Sequence, residues 1–325
     1  MPDDPTGPFA DLAIVNCTAL LGVTADRTTF APGTTLEITG GRLTRIDPNP
    51  AQAPRAREVI DAQGMVAMPG LINTHCHAAM TFLRGAAEDV AVARWFNDYI
   101  WPMEVNVGER DVYLGTLVAI AEMIECGVTT FADHYFFMDQ AAQAVADTGI
   151  RANLGSAFFS SQGPVGLAES VAFAERWQGK VDGRITTSIA PHAPYTVTDD
   201  DLRAAADAAR RLGVKVHLHA SEDLAQAKAS VSSRGLTPIQ VLHETGVLDA
   251  GRKQMDLVGV VMVGSATALG GGTVRDLLLD RTVFWISDQT YLVVALATTV
   301  VIFFAVRGLR LPPRLFLIPD AVGLA

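Results

Sequence analysis

The stretch MPGLINTHCHAAM, from Met68 to Met80, places two histidines one residue apart at the end of an apolar run. On a β-strand, residues i and i+2 face the same side, so His75 and His77 are expected to project together. Functional side chains of a (β/α) barrel gather at the carboxyl ends of its strands. The stretch therefore predicts a first barrel strand that carries part of a metal site, although a histidine pair alone is a weak signal.

Downstream of this stretch, short strand-like runs alternate with longer alanine-rich segments that have helical spacing. The predicted strands are VAMPGLINTH, GVTTFADH, IRANLGSAF, RITTSIAPHA and GVKVHLHAS. The predicted helices include DVYLGTLVAIAEMIECG and DDLRAAADAARRLG. Repeated strand–helix units predict a parallel sheet or a (β/α) barrel. We assign this α/β region, with five visible units, to residues 67–250.

Residues 1–66 form a separate region in the sequence. Between Asp11 and Met65, short apolar runs alternate with Gly, Pro and Asn/Asp turn residues. This pattern is typical of small antiparallel strands. We expect a small N-terminal β-domain, part of a β-sandwich.

Residues 252–325 differ in character from the rest. The run from Tyr291 to Val306 contains no charged residue, but it is shorter than the roughly 20 residues of a membrane-spanning helix. Three arginines follow it, as at a cytoplasmic membrane boundary: Arg307, Arg310 and Arg314. The pattern favours a partial all-α transmembrane segment, with a buried core helix as the alternative. We therefore expect residues 1–250 to be cytoplasmic, with membrane association through residues 252–325.

Composition limits the partners of the chain. With 25 Lys/Arg against 35 Asp/Glu, its net charge is −10, and the excess of acid lies in residues 1–251. An acidic region of this kind argues against nucleic-acid binding and favours a small-molecule substrate. The cysteines Cys17, Cys76 and Cys126 form no CxxC pair, so neither a disulfide framework nor a thiolate zinc site is expected. The acidic, proline-containing N-terminus does not resemble a secretion signal, and oligomeric state is not indicated.

A second histidine pair occurs in VKVHLHASED, with a carboxylate close behind it. A neutral imidazole can take a further position on a divalent ion, and a carboxylate just beyond the strand can move protons there. We predict that His219 is a ligand and that Glu222 is the catalytic carboxylate. We interpret His217 as a core histidine deeper in the barrel.

The remaining histidines are weaker candidates. His192 lies between prolines at the predicted end of the fourth strand, where a fixed loop can present an imidazole to substrate. A structural histidine bonded to backbone fits that position nearly as well. His134, at the end of the second strand, and His243, on a helix, are interpreted as structural, and Asp133 receives no role.

Five motifs in order closely resemble the amidohydrolase superfamily, over about residues 11–250: PGLINTHCHAAMTFLRG, WPMEV, AEMIECGVTTFADHYFF, APHAPYT and HLHASE. Within it, the resemblance is to methylthioadenosine/S-adenosylhomocysteine deaminases and related chlorohydrolases. It implies a (β/α)₈ barrel of the TIM type that holds one divalent ion, zinc more than iron, and hydrolyses a nucleoside or other heterocyclic amine. The implied metal ligands are His75, His77 and His219. Glu222 matches the carboxylate that transfers a proton, and His192 and Glu104 match substrate contacts, the latter to a ribose.

The sequence departs from this pattern after Gly251. The family has a further histidine in a motif like AHC and an aspartate ligand in one like GTD, and neither motif follows Gly251 here. The resemblance therefore predicts a truncated barrel, an incomplete β-domain and an aminohydrolase with little or no activity.

Residues 252–325 resemble the interior of the TRIC-type bacterial membrane family, which includes glycine transporters, most specifically in GGGTVRD followed by FW. Three interpretations of function follow. The chain is a metal-dependent aminohydrolase, a membrane transport or channel protein through residues 252–325, or a nonfunctional fusion product.

Overall fold

The computed structural model describes residues 9–23, 28–87, 90, 94–248 and 284–298. It contains two compact units, one that ends at Gly70 and one that begins at Leu71. The domain limits predicted from the sequence stay predictions.

The first unit is a five-stranded sheet. Its strands are β1 (Ala10–Val23), β2 (Thr28–Thr39), β3 (Arg42–Asp47), β4 (Ala56–Asp61) and β5 (Val66–Ala67). The order is β3-β2-β1-β4, and β5 also pairs with β1. The antiparallel expectation holds for β1–β2 and β2–β3, but β4 and β5 lie parallel to β1. The chain must therefore cross back after β3, and local turn residues do not reveal such a crossing.

The second unit contains five parallel strands in the order β10-β9-β8-β7-β6. They are β6 (Leu71–Cys76), β7 (Val128–Tyr135), β8 (Arg151–Phe158), β9 (Ile185–Pro191) and β10 (Lys215–Val216). Since each strand falls on a predicted strand and successive strands pair side by side, the prediction of a parallel β/α sheet is confirmed.

Helices connect these strands. A short α1 (Trp101–Glu104) precedes α2 (Glu109–Glu125), α3 (Met138–Thr148), α4 (Pro164–Trp177), α5 (Asp199–Leu212), α6 (Leu224–Arg234) and α7 (Pro238–Glu244). A 3₁₀ helix, Ala78–Leu83, directly follows β6, and a π-helix occupies Trp95–Ile100. Phe131 and Leu154, with no exposed surface, lie in the core that the sheet shares with these helices.

Helix α5 shows why the sequence folds this way locally. The Thr198 side chain accepts a hydrogen bond from the Asp201 amide, which caps the helix, and three aspartates occupy the first turn, where the helix dipole favours negative charge. Gly213 ends the helix in the left-handed conformation (φ 67°), which glycine adopts at low cost. The buried residues recur at helical spacing and cover the sheet: Leu202, Ala205, Ala206 and Ala209.

The parallel sheet is strongly curled. In a flat sheet with strands about 4.8 Å apart, β6 and β10 would be about 19 Å apart. Yet the ring of His75, on β6, lies 4.9 Å from that of His217, the residue after β10. The two edge strands therefore turn toward each other, and their side chains meet over the concave face.

Strand β10 is shorter than predicted. Its regular pairing ends at Val216, but the His217 amide donates to Ile189 O at 3.0 Å and the His219 amide donates to His192 O at 2.9 Å. The chain thus continues beside β9 until Ser221, which is left-handed (φ 58°). The bend at Ser221 separates the extended segment from Glu222 and helix α6.

Within the tail, the described part contains α8 (Phe284–Ser287) and helical residues 290–298. Most of the segment predicted to enter a membrane lies outside the described residues. In the portions of the chain that the structure describes, no helix combines the length and apolar character needed to span a bilayer.

Candidate metal centre

Three imidazoles converge at the carboxyl ends of the strands. His75 ends β6 with Cys76, His77 follows that strand, and His219 lies three residues beyond β10. One ring nitrogen of each lies within 4.8 Å of the corresponding nitrogens of the other two. The centroids of the three rings are 4.9 to 5.1 Å apart. The structure thus brings together the three histidines that the resemblance implies as metal ligands.

The second nitrogen of two of these rings is already engaged. His77 Nδ1 donates to the backbone carbonyl of His134 at 2.6 Å, and His75 Nδ1 lies 2.7 Å from His217 Nε2. Metal-binding histidines commonly use their other nitrogen in this way, which fixes the tautomer and the ring orientation. The arrangement leaves Nε2 of both rings available to a cation.

The electrostatics of the cluster favour uncharged rings. Burial lowers the pKa of His77 and that of His219 to about 4, while the Glu222 carboxylate acts in the opposite direction. Burial also lowers the pKa of His75. Because a metal binds the neutral imidazole, these ligands need not lose a proton at neutral pH. Three neutral nitrogen donors fit zinc, and they also suit iron.

Glu222 lies beside this cluster. Its Oε1 is 3.8 Å from His219 Nδ1, and its Oε2 accepts a hydrogen bond from Gln226 Nε2 at 3.2 Å. The side chain is one-third exposed. The left-handed Ser221 before it makes the turn that places this carboxylate near the imidazoles.

A cavity of about 200 Å³ adjoins the cluster. Its polar lining includes Glu104, His192 and Glu222, together with His77, His134 and His219. Seven of its sixteen lining residues are Trp, Phe or Tyr: Trp95, Phe96, Trp101, Tyr135, Phe136, Phe159 and Tyr195. Aromatic faces of this kind suit a flat ligand that can stack on them.

The two predicted substrate contacts both line this cavity. His192 stacks on Phe159 with ring centroids 4.5 Å apart, and its Nδ1 lies 2.8 Å from Thr196 Oγ1. Glu104 Oε1 accepts a hydrogen bond from the Tyr135 hydroxyl at 2.7 Å. Burial raises the pKa of Glu104, although the Tyr135 hydrogen bond opposes the shift. Both side chains are therefore held in place by the protein.

Two contacts of the site are not predicted by the sequence. His217, which is assigned to the core from the sequence, neither lines the cavity nor belongs to the three-histidine group, but its ring bonds to that of His75. His134 was interpreted as structural, yet its side chain lines the cavity. No local signal identifies either residue, because each contact depends on how the sheet curls. His243 is exposed on α7 and does not line the cavity.

A curled parallel β/α sheet whose strand ends bring imidazoles together is typical of (β/α)-barrel proteins, whose functional groups lie at that face. The amidohydrolase family model matches residues 66–269, and the chain belongs to that family. The glycine transporter family model matches residues 239–307. The two matches therefore overlap between residues 239 and 269.

Characterised relatives are deaminases by name. The chain is 45% identical over 195 residues to a 5-methylthioadenosine/S-adenosylhomocysteine deaminase of Carboxydothermus hydrogenoformans, covering 59% of this chain and 45% of that protein. It is 40% identical over 242 residues to a 5'-deoxyadenosine deaminase of Methanosarcina acetivorans, covering 73% and 55%. The chain thus spans about half the length of the curated relatives it matches.

A solved structure gives the same picture of the fold. An adenosine deaminase from Xanthomonas campestris with bound zinc superposes with a TM-score of 0.66 at 29% identity, covering 73% of this chain and 55% of that one. A guanine deaminase from C. acetobutylicum superposes with a TM-score of 0.66 at 16% identity, covering 83% and 72%, and supports the fold alone.

Proposed function

We propose that this chain binds one divalent ion, zinc in preference to iron, through His75, His77 and His219, and that the site serves hydrolytic deamination. The substrate would be an adenosine-type nucleoside or another aminated heterocycle. The observation that carries the proposal is the convergence of three neutral imidazoles beside an aromatic cavity. The names of the relatives support the reaction, and the zinc of the Xanthomonas structure supports the ion.

A divalent ion held by these imidazoles would supply Lewis acidity, which would bring the pKa of water toward neutrality. Glu222 is the chain's own proton carrier. Its Oε1, 3.8 Å from His219 Nδ1, can take a proton from the attacking water and return it to the nitrogen that leaves. The carbon–oxygen bond forms as water adds to the ring carbon, and the carbon–nitrogen bond then breaks to release ammonia.

Other residues orient the substrate. His192 is fixed by Phe159 and Thr196, which leaves its Nε2 for a ligand. Glu104 uses Oε1 for Tyr135, and its second oxygen can accept a hydrogen bond from a ribose hydroxyl. The aromatic walls stack on the heterocycle and exclude water, which strengthens the polar contacts within.

The direct test uses the purified full chain. Metal content is measured by mass spectrometry, and ammonia release is measured with methylthioadenosine and S-adenosylhomocysteine. We expect about one zinc per chain and, because the sequence predicts a truncated barrel, only slow turnover, which His219→Ala should abolish. The matched control is His243→Ala, which alters an exposed histidine and should change neither readout. A chain without stoichiometric metal, or turnover that survives His219→Ala, contradicts the proposal.

The match to the glycine transporter family over residues 239–307 favours a second candidate function. Under it, residues 252–325 associate with a membrane and contribute to transport or channel activity. Fractionation of cells that produce the chain tests this directly, because an associated chain sediments with membranes and resists extraction by alkaline carbonate. Recovery in the soluble fraction contradicts it. Sequencing the locus across codon 251 tests the third interpretation, a nonfunctional fusion product.

A further inference from the structure

We propose that the His134 imidazole hydrogen-bonds the ligand atom that lies next to the metal position, so that His134 is a substrate-contacting residue of the cavity. The inference rests on the proposed function, because it takes the ligand to be an aminated nitrogen heterocycle.

The first support is the state of the side chain. His134 is 1% exposed, and neither Nδ1 nor Nε2 has a hydrogen-bond partner among the described residues. An unpaired buried donor or acceptor costs about 1–3 kcal/mol, and such groups in native proteins are nearly always paired. A hydrogen-bond partner for the His134 imidazole would therefore stabilise the protein.

The second support is how firmly the backbone holds this residue. The His134 amide donates to Asp133 Oδ1 at 2.9 Å, and its carbonyl accepts from His77 Nδ1 at 2.6 Å. Strand β7 also pairs His134 with Gly155 of β8. The backbone of His134 is thus fixed on three sides, and burial of the side chain keeps the ring from turning to a distant partner.

The third support is the surroundings of the ring. Its centroid lies 5.0 Å from that of His219, 5.4 Å from His217, 6.0 Å from His77 and 6.1 Å from His192. None of these rings hydrogen-bonds the His134 imidazole. Within the described residues, the group whose nitrogens can share one ion contains three other histidines and not His134. The ring therefore stands beside the metal position without belonging to the ligand set.

The side chain lines the same cavity as His77, His219 and Glu222. A polar group of a molecule bound in that cavity is the partner that we assign to the unpaired nitrogens. An imidazole nitrogen can donate to a heterocyclic ring nitrogen or accept from an amine N–H. Both groups flank the carbon at which deamination occurs. This chemistry favours an aminated nitrogen heterocycle over a carbocyclic or aliphatic ligand.

The experiment compares His134→Met and His134→Gln with the native full chain, all loaded with zinc. Methionine has similar length and no strong hydrogen-bonding group, whereas the glutamine amide can replace one nitrogen. Zinc affinity is measured by chelator competition. Binding of purine riboside, which keeps the ring nitrogens but lacks the leaving amine, is measured by calorimetry. His243→Met is the control.

We expect His134→Met to bind zinc within about threefold of the native chain but purine riboside about tenfold more weakly, the equivalent of one hydrogen bond. His134→Gln should recover part of that loss. Should His134→Met fail to fold, His134→Phe takes its place as the apolar variant.

Two results overturn the inference and leave the proposed function standing. One is equal binding of purine riboside by native and His134→Met chains. The other is a loss of zinc affinity in His134→Met as large as the loss of purine riboside, which would assign His134 to the metal or to the fold. A native chain that binds zinc but not purine riboside overturns the proposed function as well.

Discussion

Replacement of Asp133 by asparagine should stabilise the protein at alkaline pH, and the size of the effect follows from the structure. Asp133 is fully buried, and its Oδ1 accepts hydrogen bonds from the Ala78 amide at 3.1 Å and the His134 amide at 2.9 Å. Burial raises the pKa of this carboxyl from 3.8 to about 7, although the two amides oppose the shift. Its Oδ2 has no hydrogen-bond partner among the described residues.

The sign follows from which state releases its proton first. Between about pH 4 and pH 7, the unfolded chain is ionised at this position while the folded chain keeps its proton, so the folded state loses stability as pH rises. Above pH 7 the loss is complete, at about 4 kcal/mol for roughly three pKa units. At pH 5 it is about 1–2 kcal/mol. Asparagine keeps the Oδ1 acceptor and cannot ionise, so Asp133→Asn avoids the loss.

The assay is urea denaturation of the full chain, followed by circular dichroism at pH 5 and pH 8. Asp133→Asn should exceed the native chain in free energy of unfolding at pH 8 by about 2–4 kcal/mol, with a smaller advantage at pH 5. The control, Asp133→Ala, also removes the ionisable carboxyl but leaves two buried amides without an acceptor, so it should be less stable than Asp133→Asn by about 2–4 kcal/mol at both pH values. An asparagine variant whose advantage does not change with pH refutes the reasoning.

Four further predictions concern the site and its support. His77→Ala removes one of three donors and should weaken zinc binding by more than the roughly 10–100-fold typical of a lost supporting contact, measured by chelator competition. Glu222→Gln should keep zinc but lower the rate of deamination by about 10²–10⁴-fold, in a steady-state ammonia assay. Gly115→Ala should lower the melting temperature, because a Cβ there would overlap the Ala79 carbonyl oxygen at a cost of about 1–3 kcal/mol. Zinc affinity should begin to fall only below the pH range of an ordinary histidine, because burial lowers the pKa of all three imidazoles, to about 4 for His77 and His219, and protonation competes with the ion. A decline that begins near pH 6.5 would contradict the burial argument.

Local sequence patterns are sufficient to predict the strands of the parallel sheet and the positions of the histidines and the carboxylate of the candidate site. The spacing of His75 and His77 is a property of one strand, and Glu222 lies three residues beyond His219 by sequence alone. The alternation of strands and alanine-rich helices likewise predicts the order of elements, because each unit buries its own apolar face. These features need no knowledge of how distant strands meet.

Other features depend on contacts that no local pattern encodes. Strand β7 is buried toward its end on both faces, so alternation does not show that the His134 ring reaches the cavity. The bond between His75 and His217 joins residues 142 positions apart on opposite edges of the sheet. In the first unit, β4 pairs with β1 in parallel, and this pairing requires a crossover connection that turn residues do not predict.

The curl of the parallel sheet has a consequence for how metal and fold depend on each other. The proposed ligands come from both margins of the sheet, His77 just after β6 and His219 just beyond β10. A cation bound by both histidines would hold the two edges of the sheet together, and its binding would stabilise the curled sheet relative to an opened one. Removal of the ion should therefore shift the equilibrium toward the opened sheet, and opening of the sheet should lower the affinity for the ion.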